Sequence, residues 1–282
     1  MAILNPMLVA RFSGGTLHRY ENFPSGHVAP RHVDVWLPPG YDQNAARYPV
    51  IYFHDGQNLF DPALAYIGVT WGVDEALARL MAAGQIDGAI AVGVWCIEAR
   101  RREYMPRQPL LQPAGRQLAD RFGRAYGGLP DSDNYLRFIV DELKPVIDAA
   151  YRTRADQPHT FVMGSSMGGL ISLYALCQYP HVFGGAGCLS THWPIGGLAL
   201  INWFGSALPR AGRHRLYFDF GTETLDAPYE PYQRQMDDRV LKAGYAAGRD
   251  WLTRKFDGAE HSERAWRARL DEPLRFLLPA PA

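Results

Sequence analysis

The stretch FVMGSSMGG at residues 161–169 sets two serines side by side between glycines. Its surroundings decide how it is read. The residues leading into it, HTFVMG (159–164), have the composition of a buried strand. Those that follow, MGGLISLYALCQYP (167–180), read as an apolar helix ended by Pro180. Gly-x-Ser-x-Gly at a strand-to-helix turn is the pattern of a nucleophile elbow, in which a sharp turn lifts a serine hydroxyl above a sheet. Here it runs Gly164-Ser165-Ser166-Met167-Gly168, which makes Ser166 the central serine and Ser165 its neighbour. The pattern implies that a β-carbon at either flanking glycine would collide with the strand or the helix. It also sets the Ser166 hydroxyl at a helix N-terminus, where partial positive charge favours a developing anion. A plain Gly/Ser loop has the same letters; the flanking strand and helix separate the two.

Outward from this turn, short apolar runs alternate with helical periods. HVDVWLPPGY (32–41), YPVIYFHDG (48–56), GAIAVGVWC (88–96), VFGGAGCLS (182–190) and RLYFDFG (215–221) read as strands, and DWLTRKFDG (250–258) as an edge strand. Helical spacing runs through 70–85, 132–151, 196–208, 229–245 and 262–278. The segment 97–130, rich in Arg, Gln, Pro and Gly, reads as a long functional loop. Strand–helix alternation of this kind predicts an α/β fold, a mostly parallel central sheet with helices on both faces, in one domain over residues 1–282.

A serine hydroxyl is a poor nucleophile at neutral pH and needs a base. In this architecture the partners follow in the order serine, acid, histidine, on loops at the C-terminal edge of the sheet. Of the nine histidines, His261 alone lies after Ser166, follows a strand and precedes a helix. The acid belongs after the strand 215–221, in FGTETLDAPYE. Asp219 lies within the strand itself. Glu223 and Asp226 are both candidates; Asp226 is favoured because it has more loop with which to reach across to His261. An acyl oxyanion needs two backbone donors. Met167, directly after the serine, supplies one. The other is Gln57 in HDGQNLF, where Gly56 lets the backbone turn.

Composition removes several function classes. The 282 residues contain 29 Lys+Arg and 29 Asp+Glu, a formal net charge of +0. A neutral chain has no global electrostatic pull toward nucleic acid or an anionic membrane. Cys96, Cys177 and Cys188 form neither a CxxC nor a Cys/His pattern, so they read as buried free thiols with no metal site. The N-terminus lacks the charged and apolar regions of a signal peptide and no 18-residue apolar stretch exists, which gives a cytoplasmic expectation. Arg100, Arg101, Arg102 and Arg107 in EARRREYMPR (98–107) read as a solvated basic loop or, alternatively, as a receiver for an anionic substrate. Trp71, Trp95, Trp193 and Tyr104 are candidate pocket walls or core.

With these residues placed, VIYFHDGQNLF, FVMGSSMGGLISLYAL and GAEHSERAW resemble the putative-esterase family of α/β-hydrolases. That family includes enterochelin, feruloyl and acetyl-xylan esterases, S-formylglutathione hydrolases and mycolyltransferases. The likeness runs from about residue 32 to the end of the chain. It implies a cofactor-free serine hydrolase acting on small-molecule carboxylic esters; an acyltransferase using the same serine, or a non-catalytic binding module, is the alternative. Many relatives of this architecture carry the acid three residues after the strand-end glycine, where this chain has Thr224.

Overall fold

The computed structural model describes residues 6–278. Its strands are β1 (Met7–Phe12), β2 (Gly15–Phe23), β3 (Arg31–Leu37), β4 (Val50–His54), β5 (Ile90–Val94), β6 (Thr160–Ser165), β7 (Gly185–Leu189), β8 (Arg215–Gly221) and β9 (Trp251–Phe256). They form one sheet in the order β1-β2-β3-β5-β4-β6-β7-β8-β9. The β1–β2, β2–β3 and β3–β5 pairs are antiparallel. From β5 through β9 every pair is parallel. The C-terminal ends of six strands therefore meet at one edge, where crossover loops and catalytic groups collect in open α/β sheets.

The central strands are apolar on both faces because both are covered. In β4, Val50 and Tyr52 enter one core cluster while Ile51 and Phe53 enter the other. This is the period-two alternation of a strand. The first cluster is completed by helices that carry Leu136, Leu170, Leu173, Phe204 and Val240. The second is completed by the helix Val73–Ala82 and by Trp266, Leu270 and Leu274. Fully burying each such side chain is worth roughly 1.5–3 kcal/mol, so both helical layers are needed to hold the sheet.

Three parts of the chain differ from the expectation. The hairpin β1–β2 turns on Ser13 (φ 51°) and Gly14 (φ 76°), a two-residue connection of left-handed residues that suits the sheet twist. Its register is irregular, which masks the alternation in the sequence. The segment 97–130 is not a structureless loop. It holds the helices Arg100–Tyr104, Arg107–Leu111 and Arg116–Tyr126. The last of these buries only Leu118 and Phe122, too few apolar residues to stand out. The helix expected at 132–151 runs from Ser132 to Ala150 with a π-helical section, Phe138–Leu143. Pro145 follows that section; it has no N–H and its ring would crowd the carbonyl four residues back, which the wider section accommodates. Among the described residues, no helix is long and apolar enough to cross a membrane.

Candidate active site

Ser166 is the first residue past β6 and lies immediately before the helix Met167–Gln178. Its backbone is at φ 58°, ψ −121°, a conformation that an L-residue holds only under constraint. The constraint is visible: its N–H donates to the Leu189 carbonyl at 2.9 Å, and its own carbonyl accepts from His192 N–H at 3.1 Å. Gly164 is required because a Cβ there would stand 2.8 Å from the Gly168 backbone. The expectation for Gly168 is corrected. A Cβ at Gly168 would meet Asp55 and His54 at an ordinary 3.6 Å, whereas Gly169 is the crowded position, 2.8 Å from Thr191 Oγ1. Ser165 is buried at the end of β6, while Ser166 is half-buried. Met167 opens the helix, so its N–H has no acceptor within it.

The loops after β8 and β9 bring His261 and Asp226 together. Nδ1 of His261 lies 2.6 Å from Oδ1 of Asp226. The carboxylate is fully buried, and its other oxygen accepts from Ser190 Oγ at 2.5 Å and from the Gly221 N–H at 2.7 Å. Burial would raise the Asp226 pKa, but the bonds from His261, Ser190 and Gly221 outweigh it and hold the carboxyl below its ordinary value. An ionised Asp226 accepts the Nδ1 proton, which leaves Nε2 of His261 as the basic nitrogen. Glu223 is exposed and bonded only through its backbone: its N–H donates to the Ala259 carbonyl at 3.0 Å and its carbonyl accepts the Asp226 N–H at 3.1 Å. Thr224, at φ 52°, uses its hydroxyl to accept the His261 N–H at 2.9 Å. The 3-10 turn Thr224–Asp226 then presents the carboxylate two residues further on.

Two chains of contacts tie this pair to the elbow. Leu189, which accepts from Ser166 N–H, is followed by Ser190, which bonds Asp226. His192, whose N–H reaches Ser166, has Nδ1 2.6 Å from the Tyr229 hydroxyl, and the Tyr229 ring packs edge-on against His261 at 5.9 Å. Burial and the neighbouring His261 lower the His192 pKa to about 4, so this ring is neutral near pH 7. Burial raises the Tyr229 phenol, so its hydroxyl keeps its proton in this contact.

The sequence patterns did not single out Ser190, Tyr229 or Arg269. Ser190 (φ 43°) is a hub: its Oγ also accepts from Trp266 Nε1 at 3.0 Å and Arg269 Nη2 at 2.8 Å. Asp219 pairs with Arg269 at 2.9 Å instead of reaching the histidine. The available signal was the small residue ending the strand VFGGAGCLS at the same edge as the elbow.

On the other side of the elbow, Asp55 (φ 57°, ψ 46°) makes the turn that was expected of Gly56. Gly56 is needed for a different reason: a Cβ there would lie 2.4 Å from the Gly93 carbonyl carbon. Gln57 follows in the short helical turn Gly56–Asn58. Arg100 grips both Asp55 carboxylate oxygens, at 2.7 and 2.8 Å. Arg102 and Arg107 bond the carbonyls of Leu129 and Pro130. Of the four arginines only Arg101 is exposed, with its guanidinium over the Tyr126 ring. The candidate pocket walls divide: Trp71, Trp193 and Tyr104 are buried core, and Trp95 bonds Asp34. Cys188 is buried, and Cys96 and Cys177 are partly buried, all as free thiols. Among the described residues, no cluster of His, Cys, Asp or Glu is suited to a metal ion.

Residues 28–277 match the family model described as "Putative esterase". An uncharacterized protein of Bacillus subtilis, YbbA, is 28% identical over 194 residues, 68% of each chain. The ferri-bacillibactin esterase BesA of the same organism is 30% identical over 158 residues, 52% of this chain and 50% of BesA. The crystal structure of an IroE-like serine hydrolase from Shewanella oneidensis superposes with a TM-score of 0.71 at 21% identity, covering 93% of this chain and 79% of the other. That likeness shows a shared α/β-hydrolase fold. The family match spans the turn at Asp55–Asn58, the turn at Ser166 and the His261 loop together, and the chain belongs to the putative esterase family, carboxylic ester hydrolases built on that fold.

Proposed function

We propose that this protein hydrolyses small-molecule carboxylic esters through an acyl-enzyme on Ser166. The Ser166 oxygen attacks the ester carbonyl while Nε2 of His261 takes its proton. Asp226 fixes the imidazole tautomer and stabilises the cation that forms. The amides of Gln57 and Met167 stabilise the oxyanion. The tetrahedral intermediate collapses, the alkoxide leaves with the proton from His261, and the acyl group remains on Ser166. A water molecule deprotonated by His261 then attacks the acyl carbon, releasing the carboxylic acid and restoring the serine.

The observation that carries this reading is the 2.6 Å contact between His261 and a buried, otherwise satisfied Asp226. It lies two contacts from a serine held at φ 58°. No other acid in the loop after β8 is both buried and placed against a histidine. The test is turnover of short-chain p-nitrophenyl esters and labelling by a fluorophosphonate. Ser166→Ala should abolish both while keeping the melting temperature. A folded Ser166→Ala variant with wild-type turnover would sink the mechanism.

A further inference from the structure

We propose that Arg100 is a positioning residue for the oxyanion-stabilising amide of Gln57, acting through Asp55; this rests on the oxyanion role proposed for Gln57. The turn Asp55-Gly56-Gln57 is held at every residue by β5 and the segment after it. At Asp55, Arg100 binds both carboxylate oxygens, and the backbone N–H donates to the Tyr104 hydroxyl at 3.1 Å. At Gly56, the missing side chain lets the backbone lie on Gly93. At Gln57, the side-chain amide donates to Cys96 Sγ at 2.8 Å and accepts from the Cys96 N–H at 3.2 Å. Such a left-handed non-glycine residue persists only where its surroundings over-determine it. Here the bidentate guanidinium supplies both direction and charge.

The charge has its own consequence. Asp55 is almost fully buried, and a Cβ built on Gly168, in the first turn after Ser166, would lie only 3.6 Å from its Oδ2. Burial would raise the Asp55 pKa, but Arg100 outweighs it and keeps the group ionised. A bare carboxylate at that place would oppose the negative charge that develops on the substrate carbonyl oxygen. Arg100 cancels it. The segment 97–130 thereby gains a catalytic purpose that its basic sequence concealed: one of its arginines faces inward and is spent on a neighbouring loop.

The test compares Arg100→Met and Arg100→Lys with the wild-type protein on a p-nitrophenyl ester. Arg100→Met should lower kcat by about tenfold to a hundredfold, with KM little changed, since a transition-state interaction is weakened. Arg100→Lys should fall between, because it keeps the charge and loses the fork. Guanidinium added well below denaturing concentrations should restore part of the Arg100→Met turnover, because Arg100 is partly exposed. Removing the stranded charge as well, in Asp55→Asn/Arg100→Met, should cost no more than Arg100→Met alone. Wild-type kcat in Arg100→Met would overturn the proposal. A loss shared equally by kcat, KM and melting temperature, without guanidinium rescue, would also overturn it and reduce Arg100 to a structural residue. Either result leaves Ser166-dependent turnover in the wild type intact, so failure here is separable from failure of the hydrolase reading, which a fully active Ser166→Ala would signal.

Discussion

Ser190 donates its hydroxyl hydrogen to Asp226 Oδ2 across 2.5 Å, at a point where the side chains of Trp266 and Arg269 both donate to the same Ser190 oxygen. One fully buried hydroxyl therefore joins the acid next to His261 to the helix that follows it. Ser190→Ala would leave two buried donors short of an acceptor and the carboxylate short of a donor. Each unsatisfied buried group costs about 1–3 kcal/mol. The expected outcome is a lower melting temperature and a kcat reduced about tenfold, read by calorimetry and ester turnover; unchanged values of both would show that water replaces the hydroxyl.

The acid is assigned by comparing two variants. Asp226→Asn keeps the shape but offers His261 an amide, which can present a donor to Nδ1 and favour the wrong tautomer. Loss of kcat on the order of 10³–10⁴ is expected. Glu223→Gln changes an exposed side chain and should leave stability within about 0.5 kcal/mol, with kcat close to wild type. The reverse ranking would move the acid to Glu223.

Acid should destabilise the fold through two neutral histidines. Burial lowers His54 to about 3, and burial with the neighbouring His261 lowers His192 to about 4, from an ordinary 6.5. For a base whose folded pKa is depressed, the unfolded chain binds more protons between the two values. Stability is therefore fully present above about 6.5 and declines as pH falls toward 4. His54 contributes the larger part, because its Nε2 is buried without a partner among the described residues. Denaturant melts between pH 7 and 4 should show the decline, and His54→Gln should flatten it. A pH-independent melt over that window would contradict the buried neutral state.

Glycines in and beside the elbow should separate by geometry. Gly164→Ala forces a Cβ to within 2.8 Å of backbone and should sharply lower the melting temperature or abolish folding. Gly168→Ala meets only ordinary contacts and gains helix propensity worth about 1 kcal/mol, so it should fold at least as stably as wild type. Equal loss at both positions would refute the distinction.

The parallel half of the sheet was legible because strands buried on both faces leave unbroken apolar runs, as in VIYF and IAV. The elbow and the histidine were legible because chain order and sheet edge leave few positions for them. The rest was hidden for identifiable reasons. The β1–β2 hairpin is irregular in register, and the helix Arg116–Tyr126 buries only two side chains. Ser190 is a single small residue whose three partners come from distant parts of the chain. Asp226 was readable only as a choice, because Thr224 and Asp226 share between them the two bonds that hold His261: one takes its backbone N–H and the other its ring.

Asp55, Ser166, Ser190 and Thr224 each adopt a positive φ close to where the chain leaves a strand at the site edge. Each such residue costs roughly 1–3 kcal/mol, and glycine at any of them would relieve the strain while deleting the side chain. At Asp55, Ser190 and Thr224 the deleted side chain also carries bonds that offset the relief, so stability and the proposed chemistry conflict most directly at Ser166. Ser166→Gly should melt higher than Ser166→Ala, and neither should turn over ester. A screen for heat resistance alone would therefore drift toward glycine at Ser166 and discard the proposed nucleophile first.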